Sequence, residues 1–447
     1  MRRLTFIESQ FMVPPAGRPA GMLAQAVEIR RPGNPAKLRY ILPRLMELHP
    51  ALRRRPVFHR GYFRWDEVDP AVPLPLKARS CRVLPDTDEM GTILERHLNR
   101  KGIGEGGYLW KIRLIHSPLE DRCWIILVMH HAIADMESMN QLISDLGVLW
   151  CAGEALPPRP VLEPARVPLW MRLCGSPINM ARVWWQTMQA IFLAKLPETR
   201  PVGSRRSNLC LYRELSEETM TALRAYCRQR RVTVGGLLNA ITAREIARDQ
   251  MQRSRKNRFH LCTGFSVSMR ALLLPGQPAG LGLGSTCDSS YQTFHRHRSA
   301  GQSLGTLARR FSRLAAWQVR SVAGRLFNAA RFSAAAFRSR RPVDERPGFW
   351  AFDCMVSNGG VFRCRTEFGR ASMVRILYGI NLSAGGAKFN IGLTTLDGKG
   401  MVSAAAVDAF YTRREFNRLI DRILRKLTRP LAEETTASRT GKISRVR

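Results

Sequence analysis

The chain has 447 residues, 45% hydrophobic and 24% charged, with 71 Lys and Arg against 35 Asp and Glu for a formal net charge of +36. That length exceeds what a single hydrophobic core organises, so two lobes are expected, and the apolar fraction is enough to build both. The ten cysteines form no CxxC pair and several lie in apolar segments, as Cys123, Cys210 and Cys262 do, which excludes a dense disulfide framework and fits reduced thiols in a cytoplasmic setting.

Met1-Arg2-Arg3 is basic, but Gln10, Pro14 and Pro15 interrupt any apolar segment, so no secretory leader is expected. No apolar run approaches the roughly eighteen residues of a membrane span. A charge of this sign concentrates anions of any kind, including nucleic acid, acidic lipid, nucleotide phosphates and acidic proteins. It equally describes a solvated basic surface.

Gly21 to Arg30 predicts a strand that brings Leu23, Gln25, Val27 and Ile29 to one face. Pro35 to Leu48 predicts a helix with the stripe Leu38, Ile41, Leu45 and Leu48, disturbed at Pro43. Leu48-His49-Pro50-Ala51-Leu52-Arg53 follows, and Val57 to Val68 predicts a hairpin turning at Arg60-Gly61. Beyond Gly107-Tyr108-Leu109-Trp110, the run Lys111-Ile112-Arg113-Leu114-Ile115 alternates basic and apolar residues, as an antiparallel strand with one solvated face does. Ser117 to Asp121 is the turn that pairs it with the next strand.

That next strand, Cys123 to Met129, is a short Ile- and Val-rich run, the pattern of a strand buried on both faces, and it opens directly onto His130, His131 and Asp135. After Asp135 the apolar residues Met136, Met139, Ile143, Leu146 and Trp150 recur at helical spacing, with Glu137, Asn140 and Asp145 off the stripe. The histidines therefore stand where a buried strand ends and a helix begins. Neighbours on extended chain point to opposite sides, so one histidine can work while the other packs. Imidazole titrates nearest neutrality, and a carboxylate four residues on can hold the loop, which is general-base geometry without a nucleophile. At this composition the pattern His-His-x-x-x-Asp arises by chance only about 0.006 times. A zinc site is disfavoured, because adjacent histidines diverge and no further ligand cluster follows.

Gly153 to Arg206 shifts to Pro, Arg and Trp and predicts a crossover linker. Within it, Ala181 to Leu196 is amphipathic, suited to a packed linker helix or to the surface of an anionic membrane. The second lobe begins near Asn208. Ser216, followed by Glu217 and Glu218, caps one helix, and Thr233 caps another through Gly235-Gly236-Leu237-Leu238-Asn239-Ala240-Ile241-Thr242-Ala243. Thr263 to Arg270 alternates like a strand. From Phe294 to Arg341 there are eleven arginines and no acidic residue, with the stripe Leu304, Leu307, Phe311 and Leu314, which predicts two basic amphipathic helices. No nucleic-acid module accompanies them, so nucleic acid is not the expected partner. Phe352 to Gly360 predicts a strand ending in a polar turn, where Ser357 and Asn358 can donate hydrogen bonds. Lys388 to Thr395 and Met401 to Ala406 predict a hairpin across Asp397-Gly398, Thr412 and Glu415 a capping box for the helix of Phe416, Leu419, Ile420, Ile423 and Leu427, and the stretch after Pro430 a basic tail without structure.

These pieces carry a resemblance. Met129 to Asp135 resembles the HHxxxDG motif of the CoA-dependent acyltransferase superfamily, which includes chloramphenicol acetyltransferase, condensation domains of peptide synthetases and wax ester synthases. Met136 stands where that family has glycine, which alters the shape of the channel beside the base. His49 to Arg53 is similar to the family's HPxLR, Tyr108-Leu109-Trp110 to PLW, Gly235 to Ala243 to TVNDVLLAAL, Thr263 to Arg270 to VPVNLR, and Val356 to Gly360 to VSNVG, in the same order. No DFGWG-type sequence or fused carrier domain is present, so a free-standing acyltransferase is preferred.

The resemblance implies an α/β fold of two chloramphenicol-acetyltransferase-like lobes, each a mixed sheet flanked by helices, with the active-site channel between them. The expected divisions are a first lobe over 1–152, a linker over 153–207, a second lobe over 208–429 and a tail over 430–447. The implied activity is acyl transfer from a thioester, acyl-CoA or an acidic acyl carrier protein, to the hydroxyl or amine of a small-molecule acceptor, with no permanently bound cofactor or metal. His131 would be the general base and Asp135 a structural carboxylate of the site. His130 would pack, Arg270 would reach Asp135 across the lobes, and Ser357, Asn358 and Met136 would meet substrate. A monomer is expected, at most peripheral to the inner membrane surface. Two other classes stay open: an inactive homologue that binds an acyl thioester or carrier protein as a scaffold, and a basic lipid- or nucleic-acid-binding protein.

Overall fold

Strand Arg122–His130 forms the middle of the first sheet because its apolar run finds a core on either side. Ile125, Leu127 and Met129 join one cluster and Trp124, Ile126 and Val128 the other. The computed structural model describes residues 21–59, 62–100, 103, 107–159, 207–254, 260–268, 287–295, 302–320, 350–382 and 386–443. The expected amphipathic segment Ala181 to Leu196, the second basic helix and Arg270 lie outside the described residues.

The first sheet has six strands in the order Glu367–Phe368, Ala371–Ile380, Met22–Arg30, Arg122–His130, Trp110–Ser117 and Leu76–Ser80. Both neighbours of the His130 strand are antiparallel to it, with Met22 opposite His130 and Trp110 opposite Met129. Strand Met22–Arg30 brings Leu23, Val27 and Ile29 to one face as expected, and its opposite face is buried as well, with Met22, Ala24 and Ala26 entering the other core. The solvated face expected of Trp110–Ser117 is covered too, and even Lys111 is only 7% exposed. The cause is a second covering layer. Helix Thr87–Asn99, closed at its start by a capping box between Asp86 and Glu89, lies between this sheet and strand Asn208–Leu215 and contributes Met90, Leu94 and Leu98 to the shared core.

The second sheet runs Asn208–Leu215, Lys399–Val407, Phe389–Leu396, Cys354–Val356, His260–Ser268 and Cys287–His295, with Gly360–Val361 also on Phe389–Leu396. The expected hairpin turns at Asp397 and Gly398, both at positive φ (46° and 83°), as a two-residue turn matched to strand twist requires. Ser216 caps helix Glu217–Gln229 through the Thr219 N–H, and Thr233 accepts from Gly236 N at 2.9 Å at the start of helix Val234–Ser254. The mixed sheets flanked by helices are the expected fold class.

The two halves are interleaved. Strand Ala371–Ile380, which follows several second-sheet strands in the chain, completes the first sheet against Met22–Arg30 from Leu23↔Ile380 to Arg30↔Ser372. Its far end is tied down by Asn381 N to Met22 O at 2.8 Å and Leu382 N to Asn208 Oδ1 at 2.6 Å. Helix Arg413–Ile443 continues past Pro430 into the stretch expected to lack structure, while its packed stripe Phe416, Leu419, Ile420, Ile423 and Leu427 ends before that proline. No helix among the described residues is long and apolar enough to cross a membrane.

Candidate active site

The loop after the central strand is set by backbone pairing. Register ends with Met22 opposite His130, one more bond runs from His131 N to Gly21 O at 2.6 Å, and Ile133 N then turns back onto His130 O at 3.1 Å. Asp135 stops the loop by becoming the N-cap of helix Met136–Gly147. Its Oδ1 accepts from both Ser138 N and Ser138 Oγ at 2.8 Å. A carboxylate there answers free N–H groups and the positive end of the helix.

Between these two anchors His131 is held at 9% exposure. Burial lowers its pKa, against the opposing pull of ring bonds to the backbone of His131 and Ala134 and of the Asp135 charge. Desolvation disfavours the imidazolium, so the ring is kept neutral. A neutral imidazole is the form a proton acceptor needs. His130 is half-buried, and its Nδ1 accepts from Ala132 N at 3.2 Å, a local role.

Met136 and Glu137, at the start of the helix, touch the second lobe. A β-carbon added to Gly359 would stand 2.8 Å from Met136 Cε and 3.1 Å from its sulfur, so the thioether lies against the turn that follows Val356. Glu137 Oε2 accepts from Ser268 Oγ at 2.8 Å. The loop of His131 and Asp135 is thus joined to the Ser357-Asn358-Gly359 turn through Met136. The structure brings these two sequence-predicted groups together.

On that turn Ser357 Oγ accepts from Asn390 Nδ2 at 2.9 Å and lies 3.2 Å from Ser266 Oγ. Its carbonyl is so close to Gly392 that a β-carbon there would be 2.4 Å away. Asn358 lies over Gly235 at the start of helix Val234–Ser254, with Nδ2 3.1 Å from the position a β-carbon would take. Gly235 serves this close approach, while Gly236 makes room for Ser312 and the carbonyl of Ala308 on helix Leu304–Arg320. The Arg270 expectation falls outside the described residues. Sequence reading missed Glu137, Ser268 and Asn390, and Thr394 beside Gly359, whose partners are distant in the chain and leave no local pattern. Among the described residues no group of three or more His, Cys, Asp or Glu side chains is placed to hold a metal ion.

No family model matches the chain. Its sequence is 30% identical over 131 residues to HC-toxin synthetase of Cochliobolus carbonum, covering 25% of this chain and only 2% of that much longer protein. Solved structures resemble it over nearly its whole length. Trichothecene 15-O-acetyltransferase from Fusarium sporotrichioides superposes with a TM-score of 0.70 at 12% identity, covering 96% of this chain and 95% of its own. The first condensation domain of the CDA synthetase gives 0.67 at 15% identity, over 97% and 96%. Polyketide synthase associated protein 5 from Mycobacterium tuberculosis gives 0.63 at 14%, over 97% and 98%. Such agreement at such low identity is agreement of fold. This chain carries the two-lobed, chloramphenicol-acetyltransferase-like fold of condensation domains and related acyltransferases.

Proposed function

We propose that the chain moves an acyl group from a thioester, acyl-CoA or an acyl carrier protein, to the hydroxyl or amine of a small-molecule acceptor, with His131 as general base. The observation that supports this reading is the place of His131, nearly buried just past the end of the central strand, on a loop held by the Gly21 and Asp135 bonds and meeting the facing lobe through Met136. In the proposed step the imidazole of His131 takes the acceptor's proton as the acceptor attacks the thioester carbonyl. The tetrahedral oxyanion collapses, the carbon–sulfur bond breaks, and the departing thiolate recovers the proton from His131. The thioester is already activated, so no acyl-enzyme is needed. Asp135 is assigned the positioning of the loop, and Ser357 and Asn358 the binding of substrate from the opposite side. CoA or a carrier domain enters and leaves as co-substrate. His130 packs, and Arg270 is assigned to support Asp135.

Met136 seated on Gly359 favours one second reading, a homologue that binds acyl thioesters or carrier proteins without turnover. Thiol release from a panel of acyl-CoA and acyl-carrier thioesters, with acceptors from a metabolite extract, separates the two. Release that disappears in His131→Ala at an unchanged melting temperature supports transfer. Saturable thioester binding without release, unchanged in that variant, would replace it with the scaffold.

A further inference from the structure

Four large apolar side chains stand out as exposed among the described residues, and two of them, Val83 at 76% and Leu119 at 79%, lie on adjacent loops. The loops are tied together by Ser117 Oγ to Arg82 O at 2.7 Å and by Leu84 N to Glu120 Oε1 at 2.7 Å. Both sit at the Arg122 end of the central strand, roughly 25 Å along it from His130. The same end carries the exposed Arg30, Arg31, Arg79 and Arg82, with Arg31 N bonded to Asp121 O at 2.8 Å. Asp121 is the exposed acid of that turn, Glu120 already accepts from Leu84 N, and of the exposed acids that open the following helix Asp86 and Glu89 are engaged in its capping box and Asp88 faces Arg213.

Two aliphatic tips within a collar of guanidinium groups are not a protein interface in miniature. A stable contact buries about 800 Å² on each partner, far more than two side chains supply. A bilayer surface asks for less, since apolar tips enter the acyl boundary while cations meet lipid phosphates of an anionic leaflet. We propose that the Val83–Leu119 edge of the first sheet is a docking surface for anionic phospholipid membrane. It holds the protein by the end of the sheet away from His131, so the loop of the candidate active site stays clear of the lipid. The inference does not depend on the proposed chemistry.

The test is co-sedimentation of the full chain with vesicles of phosphatidylglycerol and phosphatidylcholine, compared with phosphatidylcholine alone, across a salt series. Binding is expected only with the anionic lipid, to weaken as salt rises, and to fall at least about tenfold in Val83→Asp with Leu119→Asp. Arg79→Glu with Arg82→Glu should show a similar fall. Arg228→Glu with Arg310→Glu, an equal charge change on exposed helices of the second sheet, should lose less than about twofold. Equal losses in all three pairs would overturn the proposal and leave net charge as the cause. So would intact vesicle binding in the Val83 and Leu119 variant with loss of self-association, which would mark the edge as a contact between copies of this chain. Melting temperatures of all variants should match the parent, because every changed residue is exposed.

Discussion

Met136 Cε and Gly359 meet across the two lobes, so that a β-carbon on the glycine would lie 2.8 Å from the methyl group. The same added carbon would stand 2.4 Å from Thr394 Oγ1. A methionine at the start of the Asp135 helix is therefore accommodated by a glycine on the facing turn, and the two positions are coupled.

Gly359→Ala forces both neighbours to move. Overpacking of this kind costs about 1–3 kcal/mol, which chemical denaturation should detect as a lower midpoint at unchanged slope. Adding Met136→Ala is expected to restore part of that loss, the Thr394 contact remaining. Additive penalties in the double variant would show that the two residues do not share one site.

Acyl transfer is predicted to persist to a lower pH than an exposed histidine would allow, because burial lowers the pKa of His131 and keeps the base form present below the ordinary value of about 6.5. The same shift makes folding proton-sensitive. The unfolded chain binds the proton first, so the stability associated with His131 is complete above its ordinary pKa and declines as pH falls toward the lowered one. His131→Gln removes this contribution, and a pH series of denaturation midpoints should show a shallower acid slope. An unchanged slope would mean that the ring is not desolvated.

His49, Asp145 and Arg159 form a buried network beneath the Asp135 helix. Asp145 accepts from His49 Nε2 at 3.0 Å and from Arg159 through Nε at 3.0 Å and Nη2 at 2.8 Å. Burial alone would raise the pKa of Asp145, but the bonds and charges of His49 and Arg159 bring it below the usual range. For His49, burial outweighs its partner and lowers the pKa. Asp145 is thus the ion paired with Arg159, and His49 a neutral donor. Asp145→Ala leaves a guanidinium and an imidazole without their acceptor and should cost about 3–5 kcal/mol. Arg159 N also donates to Leu48 O at 2.9 Å, so limited proteolysis of the adjoining segment should accelerate in the variant. Stability equal to wild type would contradict the network.

The sequence by itself determined the local grammar. The Ile- and Val-rich run placed the central strand, Asp135, Ser216, Thr233 and the Thr412–Glu415 box placed helix starts, and Asp397-Gly398 placed a hairpin, because caps and tight turns are satisfied by residues a few positions apart. It also placed His131 at the strand end. Only the tertiary structure decided which elements share a sheet. Ala371–Ile380 joins Met22–Arg30 across some 350 residues, and a strand's pattern names its buried faces but not its neighbour. Tertiary packing also buried Asn140 and Asp145, off the apolar stripe, where Gln25, His49 and Arg159 supply their hydrogen bonds. The seat of Met136 on Gly359 belongs to the same class. Side chains far apart in the chain meet only when two sheets pack, and that contact energy has no period in the sequence.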